Sequence, residues 1–125
     1  MKKIINTPHA PAAIGPYSQA VEVNGTLYVS GQLPIQPLEG KIVATDVSAQ
    51  AEQVFANIKA ILDEAGYSFA DVVKSTVFIA DIANFAAVNE VYKKYYQTDC
   101  PARSAFAVKS LPLGALVEIE TVAAK

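Results

Sequence analysis

Residues 45–80 read TDVSAQAEQVFANIKAILDEAGYSFADVVKSTVFIA, and this stretch sets the fold class. In its first part Ala51, Val54, Phe55, Ile58, Ile61, Leu62 and Ala65 recur at helical spacing, leaving Glu52, Lys59, Asp63 and Glu64 on the other side. Thr45 or Asp46 suits the N-cap, because a short side-chain oxygen can accept from a free N–H of the first turn. Gly66 stands where a left-handed residue ends a helix. From Val72 to Ala80 the chain turns apolar and β-branched, so the helix delivers it to a strand. Such a helix is a crossover, right-handed if the strands it joins lie parallel.

Working outward, Lys3 to Asn6 is a short first strand, and Thr7 to Pro16, with three prolines and a glycine, is an irregular loop. Tyr17 to Val23 alternates, with Tyr17, Gln19, Val21 and Val23 on one side. Asn24-Gly25 then predicts a hairpin into Thr26–Ser30, because both turn residues must accept a positive φ. Gly31 to Gly40 reads as a second loop. Beyond the central stretch, Asn84 is placed to cap a second helix with Phe85, Val88, Tyr92 and Tyr95 on one face, ended by Thr98 to Pro101. Arg103–Lys109 and Ala115–Ala123 are the last strands. The order β-β-β-α-β-α-β-β over residues 1–125 is a single α+β domain. Two helices cover one face of such a sheet. Yet Tyr28 opposes Leu27 and Val29, and Leu116 and Val122 oppose Val117 and Ile119, so both faces carry apolar groups. A bare apolar face of that size marks an interface, and we expect a homo-oligomer.

Composition narrows the chemistry. The 125 residues include one Cys and one His, which rules out an internal disulfide and a zinc site of the usual Cys/His type. A hydrophobic fraction of 52% against 18% charged residues is too apolar for a disordered chain. A net charge of −2 offers no broad attraction to nucleic acid or an anionic membrane. The amino terminus has no apolar core of a signal peptide, and no stretch is long and apolar enough to span a bilayer, so we expect a cytoplasmic protein. Dinucleotide-binding, P-loop and metalloprotease motifs are missing from the sequence.

Arg103 stands out because it opens an otherwise uncharged strand. It is either an edge charge or intersubunit ion pair, or a guanidinium fork for a carboxylate ligand. Glu118 and Glu120 share a strand face, which is either solvated or, where partly buried, supplies a general base toward water. Tyr17, at a loop edge, is a core tyrosine or a ligand-orienting phenol. Ser30-Gly31 is a plain turn or a place where Gly allows close approach of the backbone to another group. His9 reads as a surface residue, Cys100 lacks a clear activating cation, and Tyr92, Tyr95 and Tyr96 read as a core or interface stripe rather than a base-stacking set.

Pro101-Ala102-Arg103-Ser104, Leu111-Pro112 and Val117-Glu118-Ile119-Glu120 together resemble the signature of the reactive intermediate/imine deaminase A family, RidA or YjgF. Ala10 to Ala20, Ser30 to Pro34, Ala49-Gln50 and Val88 to Tyr92 match it as well, so the resemblance spans nearly the whole chain. It implies a chorismate-mutase-like α+β unit with two helices on one sheet face, assembled as a homotrimer around a central barrel with sites between subunits. It also implies a 2-iminobutanoate/2-iminopropanoate deaminase, which hydrolyses enamine and imine acids such as 2-aminoacrylate and 2-aminocrotonate to 2-keto acids and ammonia. On that resemblance Arg103 anchors the substrate carboxylate, the Ala105 backbone accepts from the substrate nitrogen, and Glu118 holds and activates water. Tyr17 closes the site across the interface, and Ser30, Gly31 and Asn89 line it. No cofactor or metal is implied, since an iminium carbon is already electrophilic and water needs positioning and mild base assistance. Many members carry Cys where this chain has Ala105; the role implied there belongs to the backbone, which Ala keeps. Phe106 stands where a smaller aliphatic residue is common. The rival expectation is a non-catalytic trimer that binds small 2-keto acids or related metabolites. An RNA-directed activity has no support in so acidic a chain.

Overall fold

The computed structural model describes all of residues 1–125. Its strands are β1 (Lys3–Ile5), β2 (Ala20–Val23), β3 (Thr26–Gln32), β4 (Ile35–Gln36), β5 (Lys41–Ile42), β6 (Val72–Ile79), β7 (Ala102–Ala107) and β8 (Val117–Ala124). The helices are α1 (Val47–Ala65) and α2 (Phe85–Tyr95). Six strands form one mixed sheet in the order β1-β2-β3-β8-β6-β7, and β4 pairs with β5 separately. Only β6 and β7 pair in parallel. Since β3 and β6 both run antiparallel to β8, they are parallel to each other with β8 between them. Both helices are thus crossovers between parallel strands, α1 from β3 to β6 and α2 from β6 to β7.

α1 begins where Asp46 accepts from the Ala49 N–H at 3.1 Å and ends at Gly66 with φ +81°. Its inward residues Ala51, Val54, Phe55, Ile58, Ile61 and Leu62 are buried against Leu27, Val29, Val77, Ile79, Val117 and Ile119 of the sheet. Each large side chain so buried contributes about 1.5–3 kcal/mol. Phe55 joins the helices: it stacks on Tyr95 at 4.3 Å and meets Tyr92 and Tyr96 edge-on. The tyrosine stripe of α2 therefore belongs to the core. The Tyr95 hydroxyl donates to Glu52 of α1 at 2.7 Å.

Three sequence expectations are corrected. Tyr17 to Gln19 are not strand: the Tyr17 N–H closes a turn onto the Gly15 carbonyl, and pairing with β3 starts at Ala20. Gln19 is buried for another reason, since its amide donates to the Thr7 and Pro11 carbonyls and accepts from the Thr7 N–H. Gly31 to Gly40 is not all loop, because β3 runs on to Gln32 and the β4–β5 hairpin closes with Gly40 at φ +68°. Asn84 does not cap α2 with its side chain. Its own backbone is close to helical, and Asp81 caps the preceding turn instead by accepting from the Ala83 N–H. The Asn24-Gly25 turn is as expected, with φ of +50° and +77°.

The second sheet face has no helix over it. Tyr28 and Phe106 are exposed there, Phe78 and Val122 half-buried, and the Phe78 and Phe106 rings lie 6.5 Å apart. No helix is long and apolar enough to cross a membrane.

Candidate functional site

The residues singled out from sequence fall into two groups. The first lines a cleft of about 680 Å³ at one end of the bare sheet face, and includes Tyr17, Ser30, Gly31, Glu118 and Glu120. Val117 and Ile119 alternate into the core, which aims Glu118 and Glu120 at the opposite side. Glu118 is half-buried, and its carboxyl is pushed above the usual range, mainly by burial and further by the negative charge of Glu120. Its carboxylate lies against Gly31, where an added Cβ would come within 2.5 Å of Oε2. The register of β3 against β8 slips between Val29 and Gln32, and the irregular backbone there carries Ser30 and Gly31. Gly31 is thus the close approach that its residue type suggested, and the approaching group is the carboxylate.

Ser30 has a structural commitment. Its hydroxyl donates to the Ser18 carbonyl at 2.6 Å and its N–H to the Gln19 carbonyl at 3.0 Å. Those bonds hold the segment that carries Tyr17, whose ring is exposed at the cleft rim. Ile14 and Leu113 extend the rim with exposed apolar side chains.

The second group sits at the β7 edge. The Val108 N–H donates to the Ile79 carbonyl, so by strand alternation the peptide groups of Arg103, Ala105 and Ala107 face away from β6. Strand β7 ends the sheet, and the Ala105 N–H and C=O are free at that edge. The Arg103 side chain leaves on the helix side. Its Nη1 donates to Asn89 Oδ1 at 2.7 Å, and its guanidinium carbon lies 4.8 Å from the Tyr92 ring centroid and 5.4 Å from that of Phe85.

Within one chain these groups stay apart. Arg103 pairs in register with the buried Ser75, whereas Glu118 pairs with Phe78 on the bare face. The two side chains emerge from opposite faces, on strands that β6 separates by roughly 10 Å, and Arg103 is level with Thr121, three residues along β8 from Glu118. His9 is exposed. The Cys100 thiol donates to the Tyr96 carbonyl at 3.3 Å. No three His, Cys, Asp or Glu side chains converge as metal ligands.

Sequence reading missed the aromatic neighbours of Arg103, although Phe85, Asn89 and Tyr92 stand at helical spacing and so share a face of α2. It also missed Gln19 and Asn57 as loop anchors, because buried amides carry no periodic signal.

A mixed sheet with both helices on one side, a bare apolar second face, an acidic cleft at one end of that face and an arginine on the far edge strand defines a small α+β domain. The chain belongs to the endoribonuclease L-PSP family, also called YjgF/RidA, whose family model matches residues 7–125. It is 53% identical to the bovine (Bos taurus) 2-iminobutanoate/2-iminopropanoate deaminase over 98% of this chain and 90% of that one. Identity to the human protein of the same name is 48%, with the same coverage. Among solved structures, a conserved Rid-family protein from Yersinia pestis superposes with a TM-score of 0.97 at 48% identity, over 100% of both chains. The Escherichia coli protein TdcF, with bound serine, superposes with a TM-score of 0.93 at 45% identity, over 98% of both chains.

Proposed function

We propose that this chain is an imine deaminase, hydrolysing 2-imino and enamine acids to 2-keto acids and ammonia. The relatives that carry that name, about half identical across nearly the whole chain, support the reaction class. The observation that carries the reading here is Glu118: a half-buried carboxylate, raised in pKa, in a cleft where Gly31 leaves it room. Such a group is a better proton acceptor from water than an ordinary exposed carboxylate.

Arg103 binds the substrate carboxylate through two parallel hydrogen bonds. The Ala105 carbonyl accepts from the substrate N–H. An enamine substrate first becomes the iminium by protonation at carbon, and an imine substrate by protonation at nitrogen. Water then adds to the iminium carbon: Glu118 takes one of its protons, a C–O bond forms, and the electron pair of the C=N π bond moves to nitrogen as a lone pair. Glu118 returns that proton to the nitrogen, which becomes an ammonium leaving group. The hydroxyl then loses its proton to solvent as the C–N bond breaks, releasing ammonia and leaving the keto acid. Tyr17 closes the rim, and Ser30, Gly31 and Asn89 line the site.

Arg103 and Glu118 emerge from opposite faces of one chain, so the reading requires two chains per site. One contributes its β7 edge and the other its acidic cleft. Contact between two different surfaces is heterologous, and it closes as a ring when the rotation between subunits divides a full turn evenly. We infer the homotrimer, with Tyr28, Phe78 and Phe106 on the inner sheet faces.

A coupled assay tests this: a dehydratase generates the enamine, and loss of the intermediate is followed. The expected result is clear acceleration over buffer, abolished by Arg103→Ala with the oligomer intact; no acceleration overturns the reading. The relative with bound serine favours a second reading, a trimer that binds small amino or keto acids without turnover. Glu118→Gln separates the two, since the enzyme loses turnover and keeps binding, whereas a pure binding protein has no turnover to lose.

A further inference from the structure

We propose that Tyr92, seconded by Phe85, is a positioning residue that fixes the Arg103 guanidinium for its carboxylate ligand. The proposal rests on Arg103 being the carboxylate anchor. No acidic side chain forms an ion pair with Arg103; the chain's ion pairs are Lys59–Asp63, Lys93–Glu90 and Lys94–Glu52. Neutral groups hold it instead, namely two aromatic faces and the Asn89 amide oxygen, all from α2. A cation over an aromatic face is attracted without being neutralised, so Arg103 keeps its full charge for an incoming anion. A free arginine loses rotamer freedom when it binds, and one already seated on two rings loses less.

Tyr92 is suited to this because it is buried and packed between other rings. It is 5% exposed, its ring lies 4.7 Å from that of Tyr96 and 5.9 Å from that of Phe55, and its hydroxyl points into the core beside Ser75. Ser75 is the β6 residue in register with Arg103, so the Tyr92 ring spans the gap between the core and the guanidinium. The Tyr92 and Ser75 hydroxyls are both buried without a hydrogen-bond partner of ordinary geometry. Ring packing, not the hydroxyl, therefore holds Tyr92 in place, and the two contributions are separable by substitution.

The experiment uses the full chain in its native oligomer, with 2-oxobutanoate binding followed by calorimetry and imine turnover by the coupled assay. Tyr92→Leu is expected to weaken 2-oxobutanoate binding and raise KM together by about fivefold to thirtyfold, with kcat changed less than about twofold. Tyr92→Phe, which keeps the ring, is expected to restore both. Phe85→Leu, at a half-buried position, is expected to act in the same direction with a smaller effect, and keeps the test open should Tyr92→Leu fail to fold. Unchanged binding in a folded Tyr92→Leu oligomer overturns the proposal, as does damage by Tyr92→Phe equal to that of Tyr92→Leu, or a fall in kcat with KM held. Wild-type protein that fails to bind 2-oxobutanoate, or an Arg103→Ala variant that binds it normally, also overturns it. Tyr92-dependent binding without any turnover would instead sink the deaminase reading and leave the positioning role standing.

Discussion

Glu118 and Gly31 form a single unit, because the carboxylate occupies the space that any larger residue at 31 would fill. A Cβ there would also stand 3.0 Å from the Glu118 carboxyl carbon and 3.3 Å from Cγ, so the whole end of the side chain would have to move. Gly31→Ala is therefore expected to lower kcat about 10- to 100-fold, the usual cost of misplacing a reacting group by about 1 Å. Fold and oligomer should persist, and a steady-state assay beside a thermal melt checks both. Glu118 also imposes a pH dependence on stability. Its folded-state pKa is raised above the ordinary 4.5, so the unfolded chain ionises first as pH rises. Stability is full below the ordinary value and declines as pH climbs through the raised one. Glu118→Gln removes that decline, and the variant should melt above wild type at neutral pH and level with it near pH 4. Equal melting temperatures across the range would show that burial of Glu118 imposes no such cost.

α1 does more than cover the sheet, since its inward amides tie down the loops that shape the cleft. Asn57 donates to the Leu33 and Ile35 carbonyls at 3.1 and 2.9 Å, and Gln50 donates to the Ala44 carbonyl while accepting from the Leu116 N–H. Leu33 and Ile35 belong to the cleft wall. Asn57→Ala leaves two part-buried carbonyls without their donor, and is expected to cost about 1–3 kcal/mol in denaturant unfolding. A smaller loss would show that water replaces the amide. The helix itself was legible, because its apolar period runs through 19 residues between Asp46 and Gly66. Its polar anchors were not, since a buried Asn or Gln reads from sequence as surface. The β4 and β5 strands, two residues each, are too short for alternation to register. At Asn84 the residue type pointed to a cap, but backbone already turned toward helix prevents the side chain from reaching back.

For the whole molecule, the separation of Arg103 from Glu118 means that the proposed site needs two subunits. If each site joins the β7 edge of one subunit to the acidic cleft of the next, two inactive variants should repair each other. Mixing Arg103→Ala with Glu118→Gln, after dissociation and reassembly, is expected to restore about one quarter of the wild-type rate, because a random mixture joins two intact halves at one interface in four. No recovery from a mixture shown to contain both subunits in one oligomer would place the whole site within a single chain. The bare apolar face was legible from the opposition of Tyr28 to Leu27 and Val29, and of Val122 to Ile119. The residue types of the site were legible too, as an arginine on an uncharged strand and a glutamate on a half-apolar one.

Helices, the Asn24-Gly25 turn and the in–out alternation of β3 and β8 follow from neighbours along the chain, and local propensity and periodicity encode them directly. The small set of reactive side chains was likewise present from the start, and the proposed chemistry uses only an arginine and a carboxylate from it, with a water. The strand order β3-β8-β6-β7 has another origin. It arises from long-range hydrogen bonding and shared burial, which bring the last strand of the chain between two that precede it. That order puts Glu118 in a cleft against Gly31, leaves the Ala105 peptide at a free edge, and sends Arg103 to the opposite face onto Tyr92. No periodicity records those placements, because each depends on which distant strand lies alongside.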